Sequence, residues 1–198
     1  MTDELLFEVL DRARRHGHLG PGPIEEHVAR SRRFAERVRL PVGQAIDLGA
    51  GAGVPGLVLA NDRVGDHWLL VDRRATRVDD LRQAIGRLAL GEHVEVALRD
   101  VAELGRDPHW RGRADLVTAR SFGRPAEVAE LAAPLLRVGG QLLVSEPPGR
   151  APDRWDDAGL DSVHLRRDGD VSGAVASFTQ FDACPERFPR KRRRPALW

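Results

Sequence analysis

An acidic residue followed closely by four glycines is the stretch of this sequence best suited to bind a small ligand. Asp47 stands before glycines at positions 49, 51, 53 and 56. Glycine serves where a ligand must approach the backbone closely or where φ must become positive. Apolar runs precede and follow the glycines, so the pattern predicts a strand, a tight turn and a helix. This is half of a nucleotide-binding βα unit.

The charge of Asp47 separates two classes of ligand. The spacing Gly51-x-Gly53-x-x-Gly56 matches the dinucleotide fingerprint, which places a pyrophosphate at a helix N-terminus. A carboxylate beside that phosphate would repel it, whereas S-adenosylmethionine carries an ammonium and a sulfonium and has no phosphate. Asp47, Gly51 and Gly53 are therefore predicted to bind S-adenosylmethionine rather than a dinucleotide. A tight turn that binds no ligand is the alternative.

Two further acids follow predicted strands. Asp72 ends an apolar run 25 residues beyond Asp47, close to where a nucleotide-binding unit places the carboxylate that binds ribose. An Asp in a surface turn, paired with Arg73 or Arg74, is the alternative. Asp100 follows the next run of alternating apolar residues. Ligands of open α/β sheets bind at the carboxyl ends of the strands. We therefore expect the three acids to line one crevice and to meet the amino acid, ribose and adenine parts of one ligand.

The apolar runs predict an α/β, Rossmann-like fold: a mostly parallel open sheet with helices on both faces and a C-terminal antiparallel pair. Strands are predicted at 45–48, 67–72, 94–98, 115–119 and 141–145, with the closing pair at 163–165 and 175–178. Helical spacing predicts helices from Leu5 to Ala13, from Pro23 to Val38, after the glycines, and onward from Thr76 and Pro125. We expect a single domain with an N-terminal helical segment (1–40), a cofactor-binding core (41–183) and a basic tail (184–198).

The composition is that of a soluble globular protein, with 41% hydrophobic and 31% charged residues among 198. No apolar run is long enough to span a bilayer, and the N-terminus is acidic where a signal peptide would be basic. We therefore expect a cytoplasmic protein that does not contact a membrane. Cys184 is the single cysteine, so no intrachain disulfide can form. His16 and His18 lack an accompanying Cys or acidic cluster, and no metal site is predicted.

Two groups of basic residues have two interpretations each. The tail contains Arg190, Lys191, Arg192, Arg193 and Arg194 in succession. Such a run is either a solvated tail or a set of phosphate contacts for RNA, and both remain open. The second predicted helix carries arginines outside its apolar stripe, which form a solvated face or an RNA-facing one: Arg30, Arg32, Arg33 and Arg37. Because the net charge is only +1, any affinity for nucleic acid must come from such local patches.

Several of these stretches together resemble a known family. The matching pieces are Asp47–Gly56, Leu70–Asp72, Val117–Phe122, Leu135–Gly140 and Phe188–Arg190. The pattern resembles class I S-adenosylmethionine-dependent methyltransferases, and more narrowly the GidB-type methyltransferases, which modify guanine N7 of small-subunit ribosomal RNA. The resemblance implies ribosomal RNA or the 30S particle as partner. It also implies S-adenosylmethionine as cofactor, with contacts at Gly49, Val54, Val101, Ala102 and Arg120.

The reaction implied by the resemblance needs no general base. Guanine N7 is a lone pair without a proton, so orientation supplies most of the catalysis, and no catalytic residue is assigned. Ser145-Glu146 stands where the family usually has a Lys-Gly pair, and the N-terminal region is shorter than is usual. Two alternatives therefore remain: a small-molecule methyltransferase and a catalytically silent RNA-binding scaffold. A dehydrogenase is disfavoured by Asp47.

Overall fold

The computed structural model describes residues 3–39, 41–147, 154–169, 174–191 and 196–198. Its described residues form one seven-stranded sheet in the order β3-β2-β1-β4-β5-β7-β6. The strands are β1 (Gln44–Leu48), β2 (His67–Asp72), β3 (Val94–Leu98), β4 (Ala114–Ala119), β5 (Leu136–Ser145), β6 (Leu165–Arg167) and β7 (Val175–Gln180). Strands β1 to β5 pair in parallel, whereas β7 pairs antiparallel with β5 and β6. The predicted fold class, including the closing antiparallel pair, is confirmed.

Helices cover both faces of this sheet. They are α1 (Asp3–Arg15), α2 (Ile24–Ala35), α3 (Gly56–Asn61), α4 (Ala75–Arg87), α5 (Val101–Leu104), α6 (Pro125–Ala132) and α7 (Asp157–Ser162), with a 3-10 turn at Ala133–Leu135. Apolar residues of α1 to α4 form the core on one face, and those of α5 to α7 form the core on the other. Parallel strands buried on both faces explain the nearly continuous apolar runs in the sequence. No helix in the described ranges has the length and apolar character needed to cross a membrane.

The strand order reverses at β1, which has β2 on one side and β4 on the other. The register pairs Asp47 with both Leu70 of β2 and Thr118 of β4. The carboxyl ends of β1, β2, β3 and β4 therefore lie along one edge of the sheet. This reversal is the topological switch point at which open α/β sheets bind ligands.

The structure differs from the sequence-based prediction in three places near the C-terminal half. β5 begins at Leu136 rather than at 141. Within the added stretch Gly139 has a φ of +80°, and the pairing with β4 shifts register between Ala114 and Leu116. β6 lies two residues later than predicted. The short helix α7 was not predicted; the Asp156 side chain caps it by accepting a hydrogen bond from Gly159 N.

Gly56, the first residue of α3, lies too close to its neighbours to accept a side chain. A Cβ there would be 2.6 Å from Asp47 Cβ and 2.7 Å from Leu70 Cδ2. Contacts of that length force neighbouring atoms to move. The glycine at this position is therefore required by packing between α3 and the sheet, independently of any ligand.

We predict that Gly56→Ala lowers the free energy of unfolding by about 1–3 kcal/mol through overpacking. Gly86→Ala is the matched control, because Gly86 lies inside α4 with no atom within 4 Å of its added Cβ. That variant should be neutral or more stable by up to about 1 kcal/mol, since alanine is the better helix former. Chemical denaturation measures both changes, and equal stability of the two variants would contradict the packing argument.

Candidate functional site

The loop between β1 and α3 is a tight turn built on left-handed glycines. Gly49, Gly51 and Gly53 have φ angles of +64°, +57° and +95°. Ala50 N donates to Val71 O at 2.9 Å and Gly53 N donates to Ala50 O at 2.7 Å, which fixes the turn against β2. The predicted strand, turn and helix are present, and the turn lies at the switch point of the sheet.

Asp47 lies beneath this loop with only 1% of its surface exposed. Its Oδ1 accepts a hydrogen bond from Thr118 Oγ1 at 2.7 Å, and its Oδ2 accepts one from Gly56 N at 3.0 Å. Burial raises the pKa of this carboxyl to about 7, although both hydrogen bonds and nearby Arg120 act in the opposite direction. Asp47 therefore joins β1, β4 and the start of α3. A direct contact between Asp47 and a ligand stays a prediction.

Asp72 supports the loop from the neighbouring strand. Its Oδ2 accepts from Gly51 N at 3.0 Å and from Arg77 Nη1 at 3.4 Å, and its Oδ1 accepts from Arg74 N at 2.9 Å. The alternative pairing with Arg73 or Arg74 side chains is replaced by an ion pair with Arg77, in the first turn of α4. The carboxylate is 3% exposed, so it is held rigidly at the end of β2.

Asp72 also lines a cavity of about 290 Å³ formed by the loops that follow the four central strands. Predicted site residues in its wall are Gly49, Asp72, Asp100 and Val101. Asp100 caps α5 by accepting from Ala102 N at 2.7 Å. The cavity volume is close to the lower limit for small-molecule sites. We call it the strand-end cavity. Three of the four loops contribute a residue that the sequence had singled out.

A second cavity of about 540 Å³ adjoins the first and contains Arg120. Phe122 lines both cavities, and its ring packs so tightly on Gly49 that a Cβ there would be 2.5 Å from Phe122 Cδ2. Ser121, also shared by both walls, has a φ of +53°, which is an uncommon conformation for a residue with a side chain. We call this second space the arginine cavity, because arginines form much of its wall: Arg30, Arg33, Arg120 and Arg154.

The guanidinium of Arg120 has a histidine partner instead of a carboxylate. Arg120 Nη2 lies 2.7 Å from His27 Nδ1, and Nη1 lies 3.4 Å from His27 O. No ion pair joins Arg120 to an acid among the described residues, and burial, followed by repulsion from Arg30, lowers its pKa. Sequence analysis missed His27. The sequence feature that could have identified it is a polar residue on the apolar stripe of α2, which is formed by Ile24, Val28 and Phe34.

Ser145-Glu146 stands where the resemblance leads us to expect a Lys-Gly pair, yet the negative charge of Glu146 is compensated. Its Oε2 accepts from Arg154 Nη1 at 2.9 Å, and its Oε1 accepts from Trp155 Nε1 at 2.7 Å. The acid therefore organises the wall of the arginine cavity. It does not present a free negative charge to an incoming phosphate.

The run of basic residues in the tail is bonded to the core at Arg190, where the run begins. Arg190 donates to buried Glu130 through its backbone N at 2.9 Å, its Nε at 2.9 Å and its Nη2 at 2.7 Å. Lys191 is exposed and lines an open cavity of about 1120 Å³ beside Asp100 and Ala102. Arg192, Arg193 and Arg194 lie outside the described residues. The proposed RNA contacts of the tail stay a prediction, with Arg190 already occupied by Glu130.

The remaining predicted residues have simpler positions. Val54 is partly buried against the core next to α3. His16 Nδ1 and His18 Nδ1 both approach Asp80 Oδ2, at 2.6 and 3.0 Å. These contacts connect the residues that follow α1 with helix α4. In the part of the chain that the structure describes, no group of three His, Cys, Asp or Glu side chains is arranged to hold a metal ion.

Solved structures with the same architecture define the class of fold. The chain superposes on a methyltransferase from Geobacter sulfurreducens with a TM-score of 0.62, covering 90% of this chain and 88% of the other at 12% identity. For an S-adenosylmethionine-dependent O-methyltransferase from Thermotoga maritima, the TM-score is 0.61, with 89% and 72% covered at 16% identity. The fold is the Rossmann-like fold of class I methyltransferases.

Sequence comparison identifies the family within that class. The family model described as rRNA small subunit methyltransferase G, GidB, matches residues 24–146, and the chain belongs to this family. A ribosomal RNA small subunit methyltransferase G from Symbiobacterium thermophilum is 39% identical over 112 residues, 54% of this chain and 46% of that protein. Its counterpart from Lactobacillus delbrueckii subsp. bulgaricus is 34% identical over 125 residues, 63% and 49% of the two chains. The chain spans about half the length of the curated relatives it matches.

The raised pKa of Asp47 predicts a specific pH dependence of stability. Because the folded pKa of about 7 exceeds the usual value of 3.8, the contribution of Asp47 is fully present below pH 3.8 and is lost as the pH rises through 7. An Asn side chain at position 47 can form hydrogen bonds with the same two partners, accepting from Gly56 N and donating to Thr118 Oγ1. The stability of the wild type relative to Asp47→Asn should therefore fall between pH 4 and 7, with each pKa unit worth about 1.4 kcal/mol.

Asp115 provides a control of opposite sign for this measurement. Burial raises its pKa, but hydrogen bonds from Gln44 N and Gly43 N and the charge of Arg137 lower it overall. The contribution of Asp115 is therefore present above the usual carboxyl pKa and is lost only in acid. Unfolding curves measured from pH 3 to 8 compare both Asn variants with the wild type. Parallel curves for Asp47→Asn and wild type would contradict the burial argument.

Proposed function

We propose that this protein is an S-adenosylmethionine-dependent methyltransferase that methylates guanine N7 of small-subunit ribosomal RNA. The single observation that carries the proposal is the meeting of two cavities at Phe122, on the switch-point edge of a class I methyltransferase sheet. The cofactor would extend from the strand-end cavity to Arg120, and the rest of the arginine cavity suits an acceptor base. Such a protein acts in the cytoplasm, where ribosomal RNA is found.

The strand-end cavity fits the adenosine part of S-adenosylmethionine. Asp72 and Asp100 supply carboxylate oxygens for hydroxyl or amino donors, and the Gly49 backbone allows close approach. Arg120 is half-buried and forms no ion pair with an acid among the described residues, so its positive charge can bind a negative group of a ligand. The carboxylate of the methionine part would satisfy it, since arginine binds carboxylates through two parallel hydrogen bonds. When bound, the cofactor supplies an electrophilic methyl group.

The arginine cavity fits a nucleobase that arrives with its phosphates. Phe122 contributes aromatic surface to its wall, and Arg30 and Arg33 at the rim are exposed. Aromatic rings stack on unpaired bases, and exposed arginines contact phosphates. An Arg-rimmed surface favours RNA over a small apolar acceptor. Guanine N7 carries no proton, so the residues here need only orient the base, and no general base is required.

Two parts of the proposal concern the basic residues of the sequence. Arg32 is held by Asp3 and Asp62, at 2.6 and 2.8 Å, and so contributes to structure. Arg30 and Arg33 remain available for RNA at the arginine cavity, although Arg30 also contacts Glu26 at 2.8 Å.

In the tail, the bond between Arg190 and Glu130 holds the chain next to Lys191, which lines the open cavity beside Asp100. We propose that the tail guides RNA phosphates from this fixed point.

The test is methyl transfer from radiolabelled S-adenosylmethionine to 30S particles and to naked small-subunit RNA, with nucleoside mass spectrometry to locate the methyl group. We expect 7-methylguanosine. Arg120→Gln should raise the KM for the cofactor about 10- to 100-fold, the worth of one lost charged hydrogen-bond partner. Arg82→Gln, at an exposed pair on α4, is the control and should not change it.

Each other outcome of this experiment selects a different function. Methylation of another atom would overturn the guanine N7 assignment. Binding of the cofactor with transfer only to small molecules would select the small-molecule methyltransferase. RNA binding without any affinity for S-adenosylmethionine would select the silent scaffold.

A further inference from the structure

His27 is a buried polar residue that connects the N-terminal helices to the candidate cofactor site. It lies in α2, 5% exposed, with its imidazole directed at the end of β4. Its Nδ1 is 2.7 Å from Arg120 Nη2, and its Nε2 is 3.2 Å from Pro21 O in the connector between α1 and α2. The two ring nitrogens therefore meet one permanent donor and one permanent acceptor.

These partners fix the protonation state of the imidazole. A guanidinium can only donate, so Nδ1 must accept with its lone pair. A carbonyl oxygen can only accept, so Nε2 must carry the proton that is donated to Pro21 O. The ring is then neutral. Burial and the positive charges of Arg120 and Arg30 lower its pKa, against the opposing effect of the Pro21 and Gly20 carbonyls.

The backbone of His27 supports the same contact. Arg120 Nη1 approaches His27 O at 3.4 Å, and the Ser31 hydroxyl donates to that oxygen at 2.8 Å. Two groups of His27 on α2 thus contact one edge of the Arg120 guanidinium. Arg120 also forms part of the wall of the arginine cavity. Because His27 contacts only this edge, the remaining N–H groups of Arg120 can bind an anion in a fixed orientation.

We infer that His27 is the positioning residue of Arg120: its neutral imidazole orients the guanidinium toward the carboxylate of the cofactor's amino acid part. This inference rests on the proposed function. Protonation of His27 would turn its acceptor into a donor and place two cations in contact. Of the charged groups around this pair, Arg30 on α2 adds further positive charge, and Asp47 on β1 acts only on the Arg120 side. Because the pKa of His27 is lowered, its protonation should weaken cofactor binding only at a pH below 6.5, the usual pKa of histidine.

The experiment compares two ligands that differ in the group Arg120 would hold. S-adenosylhomocysteine carries the amino acid carboxylate, whereas 5′-methylthioadenosine lacks it. Titration calorimetry measures both on the full chain at pH 7.5 and pH 5.5. We expect the wild type to lose affinity for S-adenosylhomocysteine at the lower pH, while binding of 5′-methylthioadenosine stays constant within about twofold.

Two variants at position 27 separate positioning from packing. His27→Leu removes the acceptor, and should weaken S-adenosylhomocysteine about tenfold or more, the worth of one hydrogen bond to a charged group. Its affinity for 5′-methylthioadenosine should be unchanged, which also reports that the variant is folded. His27→Asn places an amide oxygen close to the position of Nδ1. It should keep most of the affinity and lose the part of the pH dependence that comes from His27, so that only the titration of Asp47 near pH 7 remains.

A histidine away from the site serves as the control. His164 Nδ1 contacts Ala183 O at 2.8 Å, beside β6, and His164→Asn should bind both ligands like the wild type. Wild-type affinity for S-adenosylhomocysteine in His27→Leu would overturn the inference and leave the proposed function intact. Equal weakening of both ligands would also overturn it, because it would show a purely structural role. A wild type that binds neither ligand would overturn the proposed function itself.

Discussion

The buried carboxylate of Asp47 is the interaction on which this site depends. It accepts hydrogen bonds from Thr118 of β4 and from the first amide of α3, so that three elements meet at one side chain. Removing it would leave two buried donors without partners, at a cost of about 1–3 kcal/mol for each. The same contact excludes any side chain at Gly56. The packing of Asp47 and Gly56 therefore determines the shape of the glycine loop on its buried side. The proposed ligand would contact the other side of the loop.

Acids and arginines line both cavities at this edge of the sheet. The strand-end cavity contains Asp72 and Asp100 beside four arginines, and the arginine cavity contains Arg120 beside Glu26 and Glu146. Phe122 separates the two by packing on Gly49. A ligand with a nucleoside at one end and a carboxylate at the other would place hydroxyl donors beside Asp72 and a negative group beside Arg120.

Local features of the site could be predicted from the sequence, and long-range ones could not. The glycine turn and the positions of Asp72 and Asp100 follow from strand ends and spacing, which are encoded within a few residues. The contact between His27 and Arg120 joins residues 93 positions apart, and that between Glu130 and Arg190 joins residues 60 apart. Such pairs depend on how α2 and the tail dock, which one sequence does not reveal. Likewise, Asp47 was predicted from its charge, but its burial depends on Leu70 and Gly56 packing around it.

The most direct test of the central claim is to map where a cofactor analogue binds. Backbone amide NMR spectra of the ¹⁵N-labelled protein, titrated with S-adenosylhomocysteine, report this residue by residue. The structure predicts that the largest shifts occur at Gly49, Asp72, Arg74, Val101 and Ser121, which line the strand-end cavity. Shifts confined to Arg106, Leu197 and Trp198, at the open cavity beside the tail, or no shifts at saturating ligand, would contradict the account.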